Sequence, residues 1–166
     1  MFSPSNFKSG SILFIKNYQF NNGSSSDKIL IILCTNRDQT AIIYSLTTSK
    51  EKLPGKLINH GCLESNDVDI SAYIFKSGNV VGTKLNKLRD DFSFDKNTIL
   101  FLQESIVEIP ISNFDKYISS KQLFLLGRLY SSELKSLIKC INDSSFVKRG
   151  IKSKILSFLS YEDLEY

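Results

Sequence analysis

The most constraining feature of this sequence is the segment 29–33, which consists of three isoleucines and two leucines. A continuous apolar run of this length predicts a strand that is covered on both faces, at the centre of a small barrel. Polar, turn-forming segments flank it at residues 21–28 and 36–39. We therefore expect functional side chains near the polar ends of this strand, where a rigid element presents loops.

Other short apolar runs, separated by turn residues, predict a mainly β fold of the α+β class, with a small β-barrel. Strands are expected at residues 11–16, 41–46, 98–102, 105–109 and 123–126, and a hairpin at 73–81 has Gly78 in its turn. Pro110 ends a strand or places it at a sheet edge, because proline cannot donate to a ladder, and Gly127 is expected to stop the last strand. Residues 50–69 and 112–120 are predicted to form loops, and residues 84–91 a connector with one helical turn.

Two helices are predicted at the C-terminal end of the chain. Ser131 or Ser132 is expected to cap the first helix, and its apolar residues recur at helical spacing. These residues are Leu134, Leu137, Ile138 and Ile141. The second helix, at residues 146–159, carries four basic side chains. By default we expect this helix to pack on the domain, with the aliphatic stems of the lysines lying along apolar surface. The alternatives are that its basic face binds RNA or a protein partner. Phe, Tyr and Leu residues of the strands are assigned to the core.

Composition indicates one globular domain, with 166 residues, of which 42% are hydrophobic and 23% charged. The three cysteines, Cys34, Cys62 and Cys140, form no close pair, which predicts a reducing cytosol and argues against both a disulfide and a zinc site. No apolar run approaches the roughly 20 residues that span a bilayer, and the N-terminus lacks the order of a signal peptide. We expect a cytoplasmic protein without a membrane partner. The net charge of +4 is compatible with a nucleic-acid partner but does not require one.

Several short motifs occur in a consistent order. Residues 10–15 have the sequence Gly-Ser-Ile-Leu-Phe-Ile and are followed by a polar loop that contains Gly23. Lys28 then precedes the buried strand. The next strand ends with Leu-Thr-Thr-Ser at residues 46–49. Leu-Gly-Arg-Leu at 126–129 then precedes the first helix. Together these motifs resemble the PemK/MazF-like toxin family over roughly half of the chain. The resemblance implies an SH3-like barrel over residues 1–130, with an insertion around 50–95, and a helical segment at 131–166 packed on the barrel.

The function that this resemblance implies is a metal-independent endoribonuclease toxin, usually a homodimer, that needs no cofactor and is neutralised by an antitoxin protein. Lys28 and Thr48 stand where the family keeps a catalytic arginine and a serine or threonine. The sequence departs from the family at two places: Lys28-Ile29 replaces an Arg-Pro pair, and Ser11 replaces an acidic residue. Lysine is a point charge where arginine offers a planar, two-pronged contact, so the first change bears on phosphate binding.

Further residues are expected around the same rim. Asn21, Arg37, Thr47 and Lys50 are predicted to contact RNA, and His60, the single histidine, is a candidate for proton transfer if a partner lies within hydrogen-bonding reach. Simpler interpretations stay open for each of them: a solvated lysine at a strand entry, β-forming threonines and a bystander histidine. At the level of function, the alternatives are a barrel that has lost catalysis and binds nucleic acid or protein, and an unrelated barrel with a scaffold role.

Overall fold

The computed structural model describes residues 7–36, 42–85 and 90–162 of the chain. Its strands are β1 (Ser11–Gln19), β2 (Ser25–Thr35), β3 (Ile42–Leu46), β4 (Gly61–Ser65), β5 (Ile70–Phe75), β6 (Val80–Lys84), β7 (Asp91–Ser93), β8 (Thr98–Phe101), β9 (Ile106–Ile109) and β10 (Leu123–Leu129). Its α-helices are α1 (Asp115–Ser119), α2 (Ser131–Asp143) and α3 (Arg149–Glu162), and 3-10 turns lie at Gly55–Leu57 and Ile111–Phe114. The predicted α+β class with C-terminal helices is confirmed.

The strands form two antiparallel sheets. The larger has the order β7-β6-β10-β1-β2-β3-β9, and the smaller has the order β4-β5-β8. The predicted hairpin at 73–81 is wrong, because β5 and β6 belong to different sheets and do not pair with each other. A single bridge between Thr48 and Ile99 joins the end of β3 to β8 and so connects the sheets. Among the described residues no ladder joins β7 to β9, so the pairings describe an open seven-stranded sheet. β9 ends immediately before Pro110 at the sheet edge, as predicted.

Strand β2 is the centre of the fold, and residues 30–34 have no exposed surface. Leu30 and Ile32 pack into one apolar cluster, whereas Ile31 and Leu33 pack into another on the opposite face. This two-sided burial confirms that the apolar run is a strand covered on both faces. The first cluster is closed by Phe7 and the segment around α1, and the second by the smaller sheet together with α2 and α3.

Helix α2 begins at Ser131, as predicted, and buries Leu137 and Ile141. The predicted serine cap is wrong, because Tyr130 occupies the N-cap position and no side chain caps the helix. Helix α3 begins three residues later than predicted, at Arg149. One of its lysines, Lys154, pairs with Glu108 of β9, so this part of the basic face is bound to the large sheet.

Three predictions for loops and breaks need correction. The expected loop at 50–69 contains strand β4, which pairs along its length with β5 and thereby gains order that its own sequence does not favour. The expected loop after Pro110 contains α1. Strand β10 continues through Gly127 to Leu129, because residues 127–129 pair with β6. Glycine fits this position since a Cβ there would stand 2.4 Å from the carbonyl oxygen of Thr83. Half of the connector predicted at 84–91, residues 86–89, lies outside the described ranges, and its two end residues belong to β6 and β7.

The prediction against a disulfide is wrong, because Cys62 and Cys140 are bonded. Cys62 lies in β4 and Cys140 in α2, so the bond joins the smaller sheet to the helix across 78 residues of sequence. The hydroxyls of Ser71 and Ser144 meet at 2.7 Å in the same interface, and Glu64 accepts two hydrogen bonds from Ser145. The cysteines therefore lend no support to a reducing compartment.

We predict that the double variant Cys62→Ala/Cys140→Ala is less stable than the wild type by about 2–4 kcal/mol, because the bond closes a long loop in the unfolded chain. Denaturant unfolding of the wild type with and without reductant measures the effect. The double variant serves as the control, since reductant has no disulfide to act on there. Equal stability of oxidised and reduced wild type would contradict the prediction.

Candidate functional site

The candidate site lies where β2 emerges from the core. Lys28 pairs with Ile15 across the β1–β2 ladder, so it projects on the face of the sheet that carries Leu30 and Ile32. The side chain is partly buried, and its Nζ donates to the backbone oxygen of Thr47 at 3.4 Å. The structure thus brings together Lys28 and the Thr47–Thr48 segment, as the sequence predicted.

Thr47 is buried and holds this segment in place. Its backbone N–H and its hydroxyl both donate to the carbonyl oxygen of Ile29, at 3.1 and 3.2 Å. The hydroxyl is therefore engaged within the protein. Thr47 fixes the backbone beside Lys28, and its side chain is poorly placed to contact RNA as the sequence interpretation proposed.

Thr48 has a different environment. Its backbone N–H and carbonyl both bond to Ile99 at 2.9 Å, which attaches this residue to the smaller sheet. The side-chain oxygen accepts the backbone N–H of Lys50 at 3.2 Å. Since a hydroxyl that accepts a hydrogen bond can still donate its own proton, Thr48 retains a donor that a ligand could use.

Two further lysines lie close enough to Lys28 for their positive charges to act on its ammonium group. Burial lowers the pKa of Lys28 below its ordinary value, and the positive charges of Lys50 and Lys52 lower it further. Both neighbours are exposed. Lys50 was predicted to belong to the site, whereas Lys52 was missed, although its position two residues after Lys50 in one polar stretch is the signal for it. Three ammonium groups near two threonines form a cluster suited to an anion.

Aromatic rings also border the cluster. The Nζ of Lys28 lies 5.5 Å from the centre of the Phe20 ring, and Phe20 meets Tyr18 edge to face at 5.2 Å. Both rings are partly buried. Phe20 lies just after the end of β1, so the assignment of strand aromatics to the core does not include it; that assignment is wrong at Phe124 of β10, whose side chain is exposed. The sequence signal that we missed is an aromatic residue directly before the Asn-Asn-Gly turn.

Two more residues, Asn21 and Arg37, were predicted to contact RNA, and only the first lies in the described part of the chain. Asn21 is exposed in the turn between β1 and β2, which is closed by a hydrogen bond from Gly23 N–H to the Phe20 carbonyl at 3.0 Å. It therefore follows Phe20 directly on the rim of the site. Arg37 lies outside the described residues.

His60 has a hydrogen-bonding partner, but in a different cluster. Its Nε2 lies 2.8 Å from Oε1 of Glu133, which also accepts the hydroxyl of Tyr73 at 2.9 Å. Its Nδ1 accepts the backbone N–H of Lys76 at 3.3 Å. Burial and the bond to Glu133 raise the pKa of Tyr73, which keeps its hydroxyl protonated as a donor. These bonds tie α2 to the smaller sheet, and both nitrogens of His60 are engaged there.

An open groove of about 610 Å³ lies elsewhere, along β1 and β10, and is lined by Phe14, Lys16 and residues 123–126. Phe14 and Lys16 alternate along β1 with Ile15, the partner of Lys28, so the groove and the lysine cluster occupy opposite faces of the sheet. Within the described ranges, no group of three or more His, Cys, Asp or Glu side chains is arranged to hold a metal ion.

No protein-family model, curated protein or solved structure matches this chain. Of the helices in the described part of the chain, none is long and apolar enough to cross a membrane.

We predict that Lys28→Met raises the thermal midpoint, by about 1–3 °C at pH 7 and low salt, because folding places a charged group in a partly buried site beside two like charges. Lys28 binds its proton more tightly in the unfolded chain than in the folded protein. The free energy of unfolding of the wild type therefore rises with pH between the pKa of Lys28 in the folded protein and its ordinary value of 10.5. The advantage of the variant should therefore shrink as pH approaches 10.5.

Differential scanning calorimetry between pH 7 and pH 10, at two salt concentrations, measures this effect. Lys16→Met is the matched control, because Lys16 is exposed on the opposite face of the sheet. If the thermal midpoint of Lys28→Met were below that of the wild type at every pH, the prediction that the charge of Lys28 destabilises the folded protein would be wrong.

Proposed function

We propose that this protein is a metal-independent endoribonuclease, of the type found as toxins in PemK/MazF-like toxin–antitoxin systems. The observation that supports it best is the placement of the Lys28 ammonium against the Thr47–Thr48 segment, with Lys50 and Lys52 close enough to lower its pKa. In this cleavage the 2′-oxygen of RNA forms a bond to phosphorus and loses its proton to water, while the bond from phosphorus to the 5′-oxygen breaks. Negative charge develops on the phosphate, and preorganised donors lower the barrier by stabilising that charge.

On this proposal, Lys28 and Thr48 contact the scissile phosphate. The Lys28 ammonium stabilises the developing charge, and its lowered pKa makes it a better proton donor to the departing 5′-oxygen near neutral pH. The Thr48 hydroxyl donates to a second phosphate oxygen. Lys50 and Lys52 attract the flanking phosphates, while Thr47 acts as a positioning residue through Ile29.

The proposal carries the other features that the family resemblance implies. The sheets would correspond to an SH3-like barrel, the functional unit would be a homodimer, and a small antitoxin protein would cover the lysine cluster. Cytoplasmic RNA would be the substrate. His60 has no assigned role in the reaction, because its nitrogens are bonded within the α2 cluster.

The test is incubation of the purified protein with mixed-sequence RNA in EDTA. We expect fragments that end in a 2′,3′-cyclic phosphate or a 3′-phosphate, and a rate lowered about 100-fold or more in Lys28→Ala. Thr48→Val should also lower the rate, since it removes the hydroxyl while keeping the side-chain shape. Lys16→Ala, which removes one exposed lysine from the opposite face, should cleave like the wild type.

Intact RNA after incubation with folded wild-type protein, or equal cleavage by Lys28→Ala, would contradict the proposal. The second outcome would also reveal a contaminating nuclease.

The second candidate function is an RNA-binding module without catalysis. The replacement of the family arginine by Lys28 favours it, because a lysine cannot hold a phosphate with two parallel hydrogen bonds. Binding of uncleaved RNA, with an affinity that falls steeply with salt and falls further in Lys28→Ala, would favour this module over the nuclease.

A further inference from the structure

Phe20 directly follows β1 and lies beside the lysine cluster. It is partly buried, yet the three apolar clusters of the described residues do not include it. Its ring contacts are Tyr18 at 5.2 Å and the Lys28 ammonium at 5.5 Å. A ring in such a place contributes little to core packing and is directed to the cationic site.

The rings behind Phe20 are held rigidly. Tyr18 stacks on Tyr117 at 5.9 Å, and its hydroxyl meets that of Tyr44 at 3.1 Å. The Tyr117 hydroxyl in turn accepts the backbone N–H of Gln19 at 3.0 Å. Burial and the bond to Tyr18 raise the pKa of Tyr44, so the Tyr44 hydroxyl stays protonated in its hydrogen bond with Tyr18.

The backbone around Phe20 is equally well defined. Phe20 N–H donates to the Ser24 carbonyl at 2.9 Å, and its own carbonyl accepts Gly23 N–H. Asn22 accepts two hydrogen bonds from Ser24, which order the remainder of the turn. The aromatic surface is therefore preorganised, and little conformational freedom remains to be lost when a ligand stacks on it.

We propose that Phe20, supported by Tyr18, is the stacking surface for one base of single-stranded RNA, next to the phosphate that Lys28 contacts. This inference rests on the proposed function and deepens it, since it assigns the substrate class of that site as unpaired RNA. Aromatic side chains stack on bases of any identity, and single strands expose the faces of their bases whereas duplexes hide them. Asn21, exposed and directly after Phe20, is placed to read the edge of the stacked base with its amide.

The experiment compares binding by Phe20→Leu, Phe20→Trp and Phe124→Leu. Phe124 is the matched control, because its ring is 42% exposed and also has a lysine above it, Lys16 at 5.8 Å, but it lies in the groove on the opposite face. The probes are a single-stranded oligonucleotide with 2′-fluoro sugars, which cannot be cleaved through the 2′-hydroxyl, the corresponding duplex, and the same strand without bases.

We expect Phe20→Leu to weaken binding of the base-bearing strand about tenfold or more, with no effect on the strand that lacks bases. Phe124→Leu should bind like the wild type, and the duplex should bind more weakly than the single strand. The chain contains no tryptophan, so Phe20→Trp supplies a unique fluorophore. It should keep the affinity and be quenched by the base-bearing strand alone.

Two outcomes overturn the inference and are distinguishable. If the wild type binds or cleaves RNA while folded Phe20→Leu does so equally well, the stacking role is wrong and the proposed function stands. If the wild type neither binds nor cleaves single-stranded RNA, the proposed function fails and the stacking role fails with it. Should Phe20→Leu not fold, unchanged fluorescence of Phe20→Trp on addition of the base-bearing strand overturns the stacking role independently.

Discussion

The burial of β2 on both faces is the constraint on which the rest of the structure depends. Because alternate residues of this strand fill different apolar clusters, a shift of one residue would exchange the two faces along the whole strand. The pairing with β1 is therefore fixed, and the position of Lys28 is fixed with it. Lys28 lies two residues before Leu30 on the same face of β2, at the position where the apolar cluster ends. Its ammonium is therefore held at the boundary of the core.

This position is electrostatically unfavourable in the isolated protein. Burial and two neighbouring lysines act against the charge of Lys28, while the surrounding backbone prevents the segment from moving away. Two hydrogen bonds from Thr47 to the Ile29 carbonyl and two between Thr48 and Ile99 anchor the chain on either side. A group held against repulsion by its scaffold is a feature of functional sites, because stability is given up there for activity. A bound anion would relieve the repulsion.

The sequence predicted those features that depend on local pattern. The apolar run at 29–33 identified the central strand, and the spacing of Leu137 and Ile141 identified α2, because each pattern is written within a few residues. The partners of β4 and the bond between Cys62 and Cys140 were not predictable in this way, since they join residues distant in sequence. At the candidate site, Lys28 and Thr48 were predicted from their place in a motif, and Lys50 from its place in a loop on the same rim. The orientation of Phe20 and the partner of His60 depend on side chains brought together only by the fold.

On the proposed function, Lys28 stands where the PemK/MazF-like family has an arginine, and this difference has a consequence for the site. A guanidinium fixes the orientation of a phosphate through its planar geometry, whereas an ammonium attracts it without setting an angle. With lysine, the orientation has to come from neighbouring groups. On the proposed function, Thr48 would supply a directional donor, and Phe20, whose ring centre lies 5.5 Å from the Lys28 ammonium, would supply a flat surface. On the proposed function, the specificity lost with the arginine would be recovered from a base stacked on the ring, so substrate choice would depend on Phe20 and Asn21 as much as on the cation.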